Sequence, residues 1–168
     1  MRWIGIDPGL DGALALIDGD AVDFVDMPTI TLQGAKKSHR ELDLHQIIAA
    51  IKGWSSEGQQ ICIAIERQQA MPATLNGRQQ GGVSTFRTGM GYGMLIGMLE
   101  TLGVPYELVA PVSWKSKIMA DSPKDKDASR TVARRLFPLA APHLNLKKHH
   151  GRADALLIAE FARRRRAS

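Results

Sequence analysis

The chain is predicted to be an α/β protein built on a five-stranded mixed sheet, three strands antiparallel and two added in parallel, with helices on both faces. Three observations carry this expectation. Residues 2–7, 13–17 and 21–27 are strand-like runs joined by the turn signals Pro8-Gly9, Asp11-Gly12 and Asp18-Gly19-Asp20, the pattern of an antiparallel meander. A helix-period run and a continuous apolar run then alternate, which suits right-handed parallel crossovers onto a sheet covered on both faces. The 168 residues, 44% hydrophobic and 23% charged, fit a single domain over 1–168 that buries ~70% of its unfolded surface.

The elements follow in order. Residues 28–40 are polar, hold Lys36, Lys37 and His39, and read as an exposed loop. Leu42, Leu44, Ile47, Ile48 and Ile51 recur at helical spacing, predicting a helix over 43–54. Residues 61–66 are nearly all apolar and end in Glu66, as a buried central strand would. Residues 68–87 form a long polar loop, of the kind that is usually functional. The helix over 88–102 carries Gly89, Gly91, Gly93 and Gly97. Neither GxxxxGK[ST] nor a GxGxxG opening a helix after a strand is present, so a nucleotide loop is disfavoured. Small residues at that spacing let another backbone approach, and Met90, Met94, Leu95 and Met98 offer adaptable apolar contact. A fifth strand over 104–109 precedes helices over 112–119, 128–137 and 152–166, with a charged loop at 121–127.

Composition narrows the function classes. No apolar run approaches the ~18 residues of a membrane span. The single cysteine, Cys62, lies in an apolar run and excludes an internal disulfide or a cysteine-only zinc site. The expected compartment is a reducing cytoplasm, with its nucleoid, or an organelle matrix if a transit peptide has been removed. The net charge is +5 and the pI about 9.6. Fourteen of the 22 Lys and Arg lie from Lys115 onward, against five acids, as a phosphate-facing surface requires.

Three carboxylates stand out. Asp7 and Glu66 each end an apolar strand, a costly place for an acid unless it is paired, hydrogen-bonded or metal-bound. On adjacent parallel strands they would lie one strand spacing apart, ~4.8 Å, where their repulsion would raise one pKa. A hard divalent cation such as Mg²⁺ or Mn²⁺ relieves it. Asp154 follows in His149-His150-Gly151-Arg152-Ala153-Asp154, ahead of a small, apolar helix. His150 shares a helix face with Asp154 if the helix already includes it. His149 reaches the acid only from a non-helical lead-in.

Ile4-Gly5-Ile6-Asp7-Pro8-Gly9-Leu10, Ile65-Glu66-Arg67-Gln68 and Gly151-Arg152-Ala153-Asp154-Ala155-Leu156 resemble, in order and spacing over nearly the whole chain, the RuvC-type Holliday-junction resolvases of the RNase H-like superfamily. The resemblance implies an RNase H-like nuclease resolving four-way junction DNA by paired symmetric nicks, as a homodimer, with two Mg²⁺ or Mn²⁺ ions per site. The implied catalytic residues are Asp7, Glu66 and Asp154, with His149 or His150 as fourth member. Asp7, Glu66, His150 and Asp154 are the implied metal ligands. Family members often have Asp at the place of Gly151. Lys115, Lys124, Lys126, Arg78, Arg152, Gln69 and Met71 are the implied DNA contacts. Gln69 stands where many members have an aromatic, so wedging at the junction centre would fall to Met71, Pro72 or Phe86. Gly89, Met90, Gly93, Met94 and Gly97 fall on the implied dimer helix. Alternatives are another RNase H-like nuclease, cutting RNA–DNA hybrids or other branched DNA, and a non-catalytic junction-binding protein.

Overall fold

Side chains alternate across a strand, and in the first strand, β1 (Arg2–Asp7), both directions are buried. Trp3 packs on one side with Ala13, Ala15, Ile17, Cys62 and Ala64. Ile4 and Ile6 pack on the other with Leu14, Leu16, Ile63 and Ile65. The sheet is therefore the middle of three layers. The computed structural model describes residues 1–34, 37–55, 58–69, 81–122, 125 and 127–167.

The main sheet contains β1, β2 (Ala13–Asp18), β3 (Ala21–Asp26), β6 (Ile61–Glu66) and β7 (Tyr106–Val109), in the order β3-β2-β1-β6-β7. The β1–β2 and β2–β3 pairs are antiparallel, and β1–β6 and β6–β7 are parallel. This is the mixed five-stranded sheet the sequence predicts. Helices α1 (Leu44–Gly53) and α2 (Gly82–Leu102) cover one face, burying Ile47, Ile51, Leu95, Met98 and Leu99. Helices α3 (Pro111–Ile118), α4 (Ala128–Leu136) and α5 (His150–Ala167) cover the other.

Three differences from expectation bear on the architecture. The stretch read as an exposed loop contains a hairpin, β4 (Thr29–Leu32) with β5 (His39–Leu42). Its strands are only four residues long, and although Thr-Ile-Thr-Leu alternates, its partner His-Arg-Glu-Leu is polar and shows no such pattern. Helix α2 starts six residues before the expected 88, and its first turns hold the exposed Val83 and Phe86. Val83 and Phe86 do fall at helical spacing with Met90, but two apolar residues beside a long polar run are a weak signal. Helix α5 begins at His150 rather than at 152, after a 3₁₀ turn at Lys147–His149. Among the described residues, no helix is long and apolar enough to cross a membrane.

Helix α5 is the centre of its layer. Ala153, Ala155, Leu156, Leu157, Ile158, Ala159, Phe161 and Ala162 are all buried. It lies directly on the β1 backbone. A Cβ on Gly5 would run into the Ala155 carbonyl and sit 2.6 Å from Ala159 N. Only glycine permits that approach, and it sets the distance between the helix and the carboxyl end of β1.

Candidate active site

Register and pleat bring the strand-end acids together. Ile6 pairs with Ile65 across β1 and β6, so Asp7 and Glu66 are the next residues on adjacent parallel strands. Both follow residues that face the α5 layer, Gly5 for Asp7 and Ala64 for Glu66. Asp154 sits one turn into α5, one residue before the Ala155 that touches Gly5.

The electrostatics show how close the three acids are. Burial, then the charges of Asp154 and Glu66, push the Asp7 carboxyl up from 3.8 to about 7, against a pull from the Gly9 N–H and His150. Burial raises Glu66, while a hydrogen bond from Trp114 and the charge of Lys115 hold it down. Burial raises Asp154, opposed by a Ser129 hydrogen bond, Lys115 and His150. Asp154 Oδ1 is buried without a hydrogen-bond partner. Three desolvated carboxylates, with Asp7 and Glu66 pushed up further by neighbouring acids and Asp154 carrying an orphaned oxygen, form a hard-oxygen donor set that fits Mg²⁺ or Mn²⁺. As placed, no three His, Cys, Asp or Glu side chains among the described residues are arranged to hold one ion. The fit lies in donor chemistry and desolvation.

The two histidines part company. His150, the first residue of α5, is exposed and acts electrostatically on Asp7 and Asp154. With Asp154, Ser129, Asp125, Asp127 and Lys147 it lines a cleft of about 690 Å³. His149 is buried at 8% exposure, accepts the Leu146 N–H at Nδ1 (3.3 Å), and lies among Arg152, Asp26, Lys148 and Arg130. Burial and those cations hold its pKa below the usual value. The structure thus brings His150, and not His149, to the carboxylates.

Gly151 has a steric reason to be glycine. A Cβ there would lie 2.6 Å from the Asp11 carbonyl oxygen and 2.7 Å from Gly12 Cα. The loop after β1 presses on the start of α5 and leaves no room for an acid.

Of the expected DNA contacts, Lys115 stands beside the carboxylates, with Nζ 5.1 Å from the Trp114 ring centroid. Gln69 is exposed just beyond β6. Arg152 is engaged within the chain: its guanidinium is held by Asp26 at 2.5 and 2.6 Å and reaches the His143 carbonyl. It joins α5 to β3. Met71, Arg78, Lys124 and Lys126 lie outside the described residues, as does Pro72. On α2, Gly89, Gly93 and Gly97 face open space, Met90 is exposed and Met94 half-buried. The sequence reading assigned no role to Trp114 or Ser129. A buried tryptophan needs an acceptor, but the sequence does not say which.

No family model matches the chain. Over 80 residues it is 48% identical to the chloroplastic Holliday junction resolvase MOC1 of Chlamydomonas reinhardtii, a match spanning 47% of this chain but only 8% of that protein. Two solved structures superpose on 98% of this chain and 96% of their own. One is Thermus thermophilus RuvC in complex with Holliday junction substrate (TM-score 0.56, 16% identity), and the other is Thermus thermophilus RuvC (TM-score 0.51, 18% identity). The chain has the RNase H-like fold of RuvC, and it resembles the RuvC-type Holliday-junction resolvases in both sequence and structure.

Proposed function

We propose that this chain is a divalent-metal-dependent endonuclease that resolves four-way DNA junctions by paired symmetric nicks. The observation that carries the reading is the convergence of Asp7, Glu66 and Asp154 from β1, β6 and α5, with the Asp7 carboxyl pushed up to about 7 and Asp154 Oδ1 unpartnered. A site that raises its own acids toward neutrality is completed by positive charge. Asp7, Glu66 and Asp154, with His150 alongside, are the residues to hold two Mg²⁺ or Mn²⁺ ions. Bound there, the ions supply an activated water and stabilise the leaving 3′ oxygen of an in-line displacement.

The chain's own groups do the rest. Lys115 sits where its ammonium meets a phosphate brought to the carboxylates. His150 is placed to orient or deprotonate a water at the same edge. The products are 5′-phosphate and 3′-hydroxyl ends. Paired nicks require two sites, and the exposed small-residue face of α2 is the surface for a second copy. The place of work is a DNA-containing compartment, a nucleoid or an organelle matrix. The matched relative is chloroplastic, which favours the organelle.

The test is cleavage of a synthetic four-way junction with Mg²⁺, with Mn²⁺ and with chelator, beside an RNA–DNA hybrid of the same sequence. Metal-dependent paired nicks in the junction are expected, faster in Mn²⁺ because imidazole nitrogen suits it. Preferred cutting of the hybrid would replace the substrate assignment. Binding without turnover in any metal would remove the catalytic one.

A further inference from the structure

Trp114 is completely buried, and its one polar group is the indole N–H, a donor with no acceptor capacity. A buried N–H must find a partner, and here the partner is Glu66, whose Oε1 accepts from Nε1 at 2.9 Å. The chain path makes the contact. Glu66 and Val109 are paired in the last rung of β6 and β7. Ala110 caps and Pro111 opens α3, whose first turn carries the indole back over the end of β6. The ring belongs to the core that includes Ala64, Val109, Ile118 and the inner face of α5. Among the described residues, Trp114 is the one side chain that hydrogen-bonds to Glu66.

We propose that Trp114 is a positioning residue whose indole N–H orients the Glu66 carboxylate for a divalent cation. The inference rests on the reading of Glu66 as a metal ligand. An indole N–H cannot itself bind a metal, so it occupies one lone pair of Oε1 and leaves the rest of the carboxylate for the ion. Because the ring is locked in the core, the carboxylate it holds is locked too. Outer partners of this kind contribute ~10–100-fold in metal affinity or activity.

Two variants separate hydrogen bonding from packing. Trp114→Phe removes the donor and some volume. The analogue 3-benzothienylalanine at position 114 replaces N–H by sulfur and keeps the indole shape. Mg²⁺ affinity is read by calorimetry, and junction cleavage as kcat and KM over a range of Mg²⁺. Both variants should bind Mg²⁺ ~10-fold or more weakly. The loss in kcat should shrink as Mg²⁺ rises, with junction KM unchanged and no further loss of affinity when either change is combined with Glu66→Ala. In the ¹⁵N-labelled protein, the Trp114 indole N–H signal should move on addition of Mg²⁺ and on Glu66→Ala. Wild-type Mg²⁺ affinity in the benzothienyl protein would overturn the proposal, even if Trp114→Phe is impaired or unfolded. A wild-type protein that binds Mg²⁺ without cutting junctions would overturn the proposed function alone, and the affinity comparison would still decide Trp114. A wild type that binds no Mg²⁺ would overturn both.

Discussion

At Asp7 the fold works against its own charge. The carboxyl has an ordinary value of 3.8 and is pushed up to about 7 in the folded chain. Below ~pH 4 both folded and unfolded chains hold the proton and no penalty arises. As pH rises the unfolded chain ionises first, so the metal-free fold loses stability progressively, and the loss is complete once pH has passed about 7. Asp7→Asn should abolish cleavage yet flatten this decline and leave the metal-free protein the more stable form at alkaline pH. Added Mg²⁺ should raise the wild-type Tm by about 5 °C more at alkaline than at mildly acidic pH. Thermal melts across pH, with and without Mg²⁺, check both; a wild-type Tm equally insensitive to pH would remove Asp7 as the strained group. The histidines make a second contrast. His150→Ala should cost ~100-fold in rate, while His149→Ala should leave the rate close to wild type and cost about 1 kcal/mol of stability through the lost Leu146 hydrogen bond. Single-turnover cleavage and denaturant melts separate the two, and the reverse ranking would place His149 in the site.

Helix α5 and the loop after β1 are positioned by glycines. Gly5→Ala forces a Cβ against the Ala155 carbonyl and Ala159 N, so α5 must lift from β1. It should cost about 1–3 kcal/mol and reduce cleavage by more than the folded fraction explains, because Asp154 moves with the helix. Gly151→Asp would supply the acid that the resemblance to RuvC-type resolvases puts at this place. Its Cβ meets Asp11 and Gly12 backbone at 2.6–2.8 Å, so it should lower stability by a similar amount and yield no gain in rate. Faster cleavage by a well-folded Gly151→Asp protein would show that the loop yields. Arg152 ties the same helix to β3 through Asp26. As a partly exposed pair it is worth only ~0.5–1 kcal/mol, and Arg152→Ala should affect melting slightly and junction affinity little.

Over the whole molecule the acids and the surplus of cations take different places. Asp7 and Glu66 sit at the carboxyl ends of two parallel strands, and Asp154 joins them from α5. Not every cation is available to DNA. Arg163 and Arg164 both pair with the buried Glu160 at 2.7 Å, Arg165 pairs with Glu107, and Arg166 lies over the Trp3 ring. Among the described residues, the exposed apolar surface that stands out is the outer face of α2, with Val83, Phe86 and Met90 exposed beside Gly89 and Gly93. Gly93→Trp together with Phe86→Glu should convert a dimer to a monomer by light scattering at micromolar concentration. Junction binding should weaken and symmetric double nicking should give way to single nicks. A wild-type protein that is monomeric both free and on DNA would rule out the α2 interface.

The mixed sheet, the two strands ending in Asp7 and Glu66, and the tightly packed helix carrying Asp154 were legible in the sequence, because side-chain period, turn residues and a carboxylate at the end of an apolar run are local signals. The β4–β5 hairpin and the first turns of α2 were not: Thr29–Leu32 alternates over four residues only, and Val83 and Phe86 fall at helical spacing amid a long polar run. The larger gap concerns pairings between distant residues. Adjacent His149 and His150 have the same chemistry, and only the start of α5 decides which one turns toward the acids. Arg152 pairs with Asp26, 126 positions earlier, and no local signal in the sequence announces that pair. Trp114 and Glu66 are 48 positions apart, and nothing local in either selects the other. Strands and helices follow from interactions within a few residues. Which buried donor meets which carboxylate follows from how the layers stack, and that is decided only when the whole core closes.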